Sequence, residues 1–475
     1  MQKSITQNTS YYTIALTIQK ILSFFYFWYI SNQLLANNLG KYVFVISFTG
    51  LFAIFVNLGL NPVIIREISK NLANAKIYLK NVIGLKLLLA AITAVAMYLA
   101  IFFSGKPAEI KTLAFLASFI VLLDAFSITF WGVFRAYQNL FYESIATIIV
   151  QIIILTLGFI ALKFTGELKY LILALVSAAV FNFIFSSALI IFKLKLSIIP
   201  AVNIKIIIHF LKIIPAFGLA VIFTQIYNTS DSILLSYLSS DAAVGLYAVS
   251  AKTVYSLQQI IPAAFAAALF PVFSSCYKTD AAKLSLTFQR ALNYLIIIGL
   301  PLTAGLIILL PKIVAAFWPG YLAIIPTFKI MALSIPFLFL AFPTGYLLNA
   351  CDRQKFTTIN RGAMTLLAII LNLILIPKFS YLGAGITFLA ASIFVFLLDW
   401  FCIQKIIAVS AANLCKILGK AFISTIIMIA IIYISLPSLS LFIVIPLGAL
   451  IYFTALILLK GAKLSDALSI IKSIK

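Results

Sequence analysis

Residues 11–34 read YYTIALTIQKILSFFYFWYISNQL, a run with no acidic residue and a single cation, Lys20. As a helix it rises about 36 Å, enough to cross a hydrocarbon core of about 30 Å. It is too long for the apolar region of a cleaved leader and lacks a small-residue cleavage pattern, so it reads as a retained span. Outward from it the same signature recurs over 42–62, 81–103, 112–134, 144–162, 170–192, 213–237, 245–275, 291–311, 324–349, 362–377, 381–404, 421–437 and 439–459, fourteen spans in all. Only Leu436-Pro437-Ser438 separates the last two, and a re-entrant 362–377 would lower the count to thirteen or twelve. The fold class is an all-α polytopic membrane protein.

The composition agrees. Of 475 residues, 64% are apolar and 9% charged, against about 45–50% and 25% in soluble proteins, and the mean hydropathy is +1.18. This excludes a water-soluble enzyme, a disordered chain and a nucleic-acid-binding protein, despite a net charge of +23. Twenty-three of the 34 basic residues fall at the N-terminus, the even-numbered loops and the C-terminus; seven fall in the odd-numbered loops and four inside spans. By the positive-inside rule both termini are cytoplasmic, in an inner or plasma membrane. Cys276, Cys351, Cys402 and Cys415 then all lie toward the cytoplasmic side, where thiols stay reduced and no disulfide is expected. The segments 63–80 and 193–212, and the tail 460–475, interleave basic and apolar residues and read as interfacial amphipathic stretches.

An internal repeat is visible. Leu39-Gly40-Lys41-Tyr42 is echoed by Val244-Gly245-Leu246-Tyr247, and Asn61-Pro62-Val63-Ile64 by Phe270-Pro271-Val272-Phe273. The tyrosines are 205 residues apart and the prolines 209. Six intervening spans make the repeats parallel, which points to two six-helix bundles, a common transporter plan. The expected domains are residues 1–200, residues 201–410, and two further spans with the tail over 411–475.

Charges inside spans usually face a protein interior or a wet cavity. Lys86 and Lys329 each sit five residues into a span, shallow enough to snorkel. Lys20 lies about 13 Å deep and Lys252 about 10 Å, which makes them the better cavity cations. Gln19 adjoins Lys20; Lys252, Tyr255 and Gln259 share one helical face; and Gln225, Asn228 and Asp231 form a polar stripe. Asp124 and Asp231 either neutralise lysines or couple transport to protons or sodium. Asp399, near a span end, needs no special role.

Four patterns carry a family resemblance. They are Leu39-Gly40-Lys41-Tyr42 followed by Asn57-Leu58-Gly59-Leu60-Asn61-Pro62 and Arg66-Glu67; Asn228-Thr229-Ser230-Asp231-Ser232-Ile233-Leu234-Leu235; Val244-Gly245-Leu246-Tyr247 with Ala268-Leu269-Phe270-Pro271; and Tyr381-Leu382-Gly383-Ala384-Gly385-Ile386. In their order the chain resembles the polysaccharide-export flippases of the superfamily that also holds the multidrug and toxin extruders. The resemblance implies a cationic central cavity and alternating-access flipping of an undecaprenyl-pyrophosphate-linked oligosaccharide to the outer leaflet. Its partners would be that lipid-linked oligosaccharide, the bilayer and polysaccharide polymerase or assembly machinery. Candidate cavity residues are Lys20, Lys252, Lys86, Lys329, Arg66, Gln19 and Gln259, with Asp124 and Asp231 for ion coupling. With five arginines and none deep in a span, lysine takes over the contacts arginine often makes.

Two alternatives stand beside this reading. One is an ion-coupled extruder of drugs or metabolites, which would place acids in the cavity. The other is a membrane polymerase or glycosyltransferase, which would need a large outer loop or paired carboxylates. No metal-ligand spacing, phosphate loop or dinucleotide fingerprint is present, so neither enzymatic activity nor a cofactor is expected.

Overall fold

A computed structural model describes residues 5–260, 262–277, 279–436 and 439–461. The amphipathic tail expected at 460–475 lies almost wholly outside them. The described residues are helical, with no strand among them, and their internal contacts group into two units, Met1–Ala248 and Val249–Lys475.

The first unit holds α1 (Ile5–Asn57), α2 (Leu60–Lys70), α3 (Ala75–Phe102), α4 (Ala108–Ala136), α5 (Phe141–Phe164), α6 (Leu168–Phe192), α7 (Ile204–Leu238) and the start of α8 (Asp241–Ile260). A straight helix as long as α1 would measure about 80 Å, far beyond a bilayer's thickness. A non-helical residue, Leu35 at φ 56°, divides it. The expected span 11–34 and most of 42–62 thus share α1. The chain breaks again at Leu58 and Gly59, both at positive φ. Gly59 is needed twice, because a Cβ there would also lie 2.3 Å from the Gly218 Cα on α7. The amphipathic α2 buries Leu60, Val63, Ile64 and Ile68 at helical spacing. They join Phe130, Trp131 and Phe134 of α4 and Phe210 of α7 in the main apolar core of this unit.

The two glycines of the sequence repeat meet each other's helices. A Cβ on Gly40 would lie 1.6 Å from the Asp241 carbonyl oxygen, and one on Gly245 would lie 1.9 Å from the Ala36 carbonyl oxygen. Each glycine faces the residue four before the other, so the contact is reciprocal. The helices touch backbone to backbone, and no larger residue fits at either position.

The second unit holds the rest of α8, α9 (Pro262–Tyr277), α10 (Ala281–Phe317), α11 (Ile325–Ala332), α12 (Ile335–Ala350), α13 (Gln354–Gln404), α14 (Ala411–Ser435) and α15 (Leu441–Leu458). Helix α13 carries the expected spans 362–377 and 381–404 and folds back on itself at Ser380, φ 52°. Across this hairpin Gly383 abuts the Leu375 carbonyl, and Asn360 bonds Asp399 at 2.7 Å. One apolar core gathers Phe273, Phe288, Leu347 and Ile403; another joins α10 to α14 and α15 through Ile296, Met428, Ile432 and Tyr452.

By length and hydropathy nine described helices qualify as membrane spans, or eleven with two bent pairs included. Of the fourteen expected segments, 11–34 and most of 42–62 lie on α1, which 42–62 leaves at the Leu58–Gly59 break for α2. Segment 324–349 is split between α11 and α12, and 362–377 and 381–404 share α13. The chain is a multi-pass membrane protein.

Candidate functional site

In the first unit, Gln19 and Lys20 are both half-buried on α1. The Gln19 amide donates to Gln151 Oε1 of α5 at 3.3 Å. Seven residues before it, Tyr12 meets an ion pair that joins α4 to α5. Arg135 Nε donates to Glu143 Oε2 at 2.9 Å, and Nη2 donates to Oε1 at 2.5 Å and to the Tyr12 hydroxyl at 2.8 Å. Seven residues after Gln19, the Tyr26 ring fills the space left open by Gly158. The contacts 12–143, 19–151 and 26–158 advance together, so α1 and α5 run parallel along a polar seam. Sequence reading missed Arg135 and Glu143 because they flank a turn, closed by Gln138 at φ 54°, and share no helical face.

Lys86 is fully buried, so its ammonium does not snorkel. It donates to the Ala125 carbonyl at 2.6 Å, to Asn57 Oδ1 at 2.9 Å and to Asn61 Oδ1 at 3.5 Å. The break between α1 and α2 brings those two asparagines to it. Arg66 is exposed and lies 4.0 Å from Glu67, whose buried carboxylate also holds Lys70 at 2.6 Å and His209 Nε2 at 3.4 Å. The half-buried Asp124 is hydrogen-bonded by Asn182 of α6, which in turn accepts the Trp131 indole N–H at 3.1 Å. Asp231 is buried and accepts the Tyr247 hydroxyl at 2.5 Å.

In the second unit Lys252 and Lys329 are half-buried and Gln259 is exposed. Tyr255, from the same expected face, turns edge-on to Phe388 at 5.2 Å. Next to Lys252 in the chain, Thr253 lines a groove of about 370 Å³ between α8, α10, α14 and α15. Leu257, Ile298, Leu302, Leu306, Met428 and Phe453 give it an apolar wall. Asp399, expected to need no role, is fully buried. Besides the Asn360 amide it accepts Arg361 Nη2 at 3.3 Å and the Thr344 hydroxyl at 3.4 Å. The hairpin at Ser380 returns the carboxylate to the start of α13, and these polar partners, which linear counting could not supply, enclose it. All four cysteines are free thiols.

Residues 5–277 match the family described as polysaccharide biosynthesis protein, more than half of the chain. The chain belongs to this family. An uncharacterized membrane protein of Methanocaldococcus jannaschii is 23% identical over 397 residues, 75% of each chain. A probable flippase of Haloferax volcanii is 28% identical over 165 residues, 34% of each chain. In fold the chain is similar to an inward closed lipid II flippase (TM-score 0.74, 19% identity, 94% of this chain and 97% of that one). It is also similar to an inward-facing multidrug resistance transporter (TM-score 0.65, 16% identity, 85% and 98%).

Proposed function

We propose that the chain flips an oligosaccharide carried on a polyprenyl diphosphate to the outer leaflet by alternating access. The two repeats, 1–200 and 201–410, would move about a cationic cavity, with both termini cytoplasmic and 411–475 appended. The observation that carries this reading is the family match over residues 5–277, together with a half-buried cation, Lys252, on the same helix as Thr253 and Leu257, which line the apolar groove. An anionic head with a long apolar tail is the ligand chemistry that uses both cation and groove. The Coulomb attraction between ammonium and diphosphate strengthens as water is excluded, while the lipid tail stays in the apolar bilayer and groove. Lys20 would supply the second cation, and Asp124 and Asp231, the latter accepting the Tyr247 hydroxyl, would be the acids that couple an ion gradient.

The test is flipping of a fluorescent polyprenyl-diphosphate saccharide in proteoliposomes. The wild-type protein is expected to expose the saccharide at the far leaflet, and Lys20→Ala and Lys252→Ala each to lower the rate at least tenfold with unchanged incorporation. Wild-type vesicles no faster than empty ones would end this reading. The fold shared with multidrug transporters supports a second one, a cation-coupled extruder. Accumulation of a cationic dye in the same vesicles, with no movement of the saccharide lipid, would select it. Asp231→Asn is expected to abolish the dependence on an imposed ion gradient; unchanged dependence excludes Asp231 as the coupling acid.

A further inference from the structure

The polar pocket around Lys86 goes beyond substrate handling. We propose that Asn57, Asn61, Ala125 and Thr129 form a monovalent-cation cage that this chain fills permanently with the ammonium of its own Lys86. The lysine is a tethered ion where a free one would otherwise be needed.

The count of donors and acceptors supports this. An ammonium has three donors and no acceptor, and Lys86 meets three oxygens: the Ala125 carbonyl at 2.6 Å, Asn57 Oδ1 at 2.9 Å and Asn61 Oδ1 at 3.5 Å. Thr129 orients two of them, its hydroxyl lying 3.3 Å from Asn61 Oδ1 and 3.0 Å from the Ala125 carbonyl. Every one of these oxygens is neutral. Among the described residues no carboxylate lies within ion-pair distance of Lys86, and Asp124, its neighbour on α4, is occupied with Asn182.

The place is also one that suits a cation. Asn57 is the last residue of α1, the chain breaks at Leu58 and Gly59, and Asn61 opens α2. The cage therefore sits in the break between the C-terminal end of α1 and the first turn of α2, the kind of helix break where membrane proteins hold monovalent ions. An ion pair would supply attraction from a single carboxylate; here neutral oxygens share that task, and the α1–α2 break needs no sodium from solution.

The experiment reads thermal unfolding of the purified full chain in choline chloride, choline being too bulky to enter. Lys86→Met keeps the stem and removes the charge, and is expected to melt several degrees lower; equal melting would overturn the proposal. Lys86→Ala opens the cage, and n-propylammonium, the deleted fragment, is expected to restore melting saturably in the variant and not in the wild type. Sodium is expected to act more weakly. A variant that responds to no small cation beyond the wild-type response overturns the proposal. If Lys86→Ala cannot be isolated, Asn57→Ala is measured instead: it removes one cage oxygen, a lowered melting point supports the cage, and an unchanged one refutes it.

Discussion

The reciprocal glycine contact of α1 with α8 makes a prediction whose sign runs against helix propensity. Gly245→Ala places a Cβ 1.9 Å from the Ala36 carbonyl oxygen. Ordinary carbon–oxygen contact is about 3.3 Å, so the two helices must part by about 1.4 Å. The colliding atom is backbone, which cannot turn aside, so the cost lies toward the top of the range of about 1–3 kcal/mol for overpacking. Alanine returns about 1 kcal/mol as the better helix former. The net loss is about 2 kcal/mol, or about 4–8 °C for a unit of this size. Trp131, buried in the same unit, reports the transition through its fluorescence. The same parting admits a Cβ at Gly40, so the double variant Gly40→Ala/Gly245→Ala should lose less than the two single losses added. Gly419→Ala in α14 is the control: nothing lies within 4 Å of its Cβ, and it should gain about 0.5–1 kcal/mol. A Gly245→Ala protein that melts at or above the wild type would refute the close approach.

Arg135→Ala strands the buried Glu143 carboxylate and should cost about 3–5 kcal/mol by thermal unfolding, whereas Glu143→Gln leaves a half-exposed arginine and should cost less; a reversed order would show that Glu143 does not depend on its partner. Cys351 lies beyond the end of α12, where burial, with Asp352 adding to it, pushes its thiol up to about 11. At pH 8 about one thiol in a thousand would be ionised, so Cys351 should resist iodoacetamide while the exposed Cys415 reacts; mass spectrometry of the labelled peptides decides it.

The all-helical, multi-pass character and the family were legible because hydropathy and motif order are properties of the linear chain. Gly40 and Gly245, read as copies, lie against each other's helices, a contact that the sequence spacing did not foretell. The burial of charged residues was less legible. Counting residues from a span end gives a depth and no neighbours, and it is partners from other helices, Asn57 and Ala125 for Lys86 and Thr344 for Asp399, that bury these two charges. Arg135 and Glu143 were invisible for a related reason, since periodicity within one helix says nothing about groups brought together across a turn. The partners of Asp124 show the same limit: Asn182 lies 58 positions on in the chain and two helices away.

The α13 hairpin bears on how the protein is made. A lone aspartate or arginine raises the free energy of entering the lipid by up to about 2.5–3.5 kcal/mol at the centre of a nascent helix, and by less near its end. The stretch 362–377 is strongly apolar but shorter than the roughly 20 residues of a full span, which limits how far it can offset that. Asp399 and Arg361 face each other across the Ser380 fold, so the two halves of α13 cancel their charges only when both have left the ribosome. The insertion machinery should therefore retain the first half beside the channel until the second emerges, and release them to the bilayer as one helical pair.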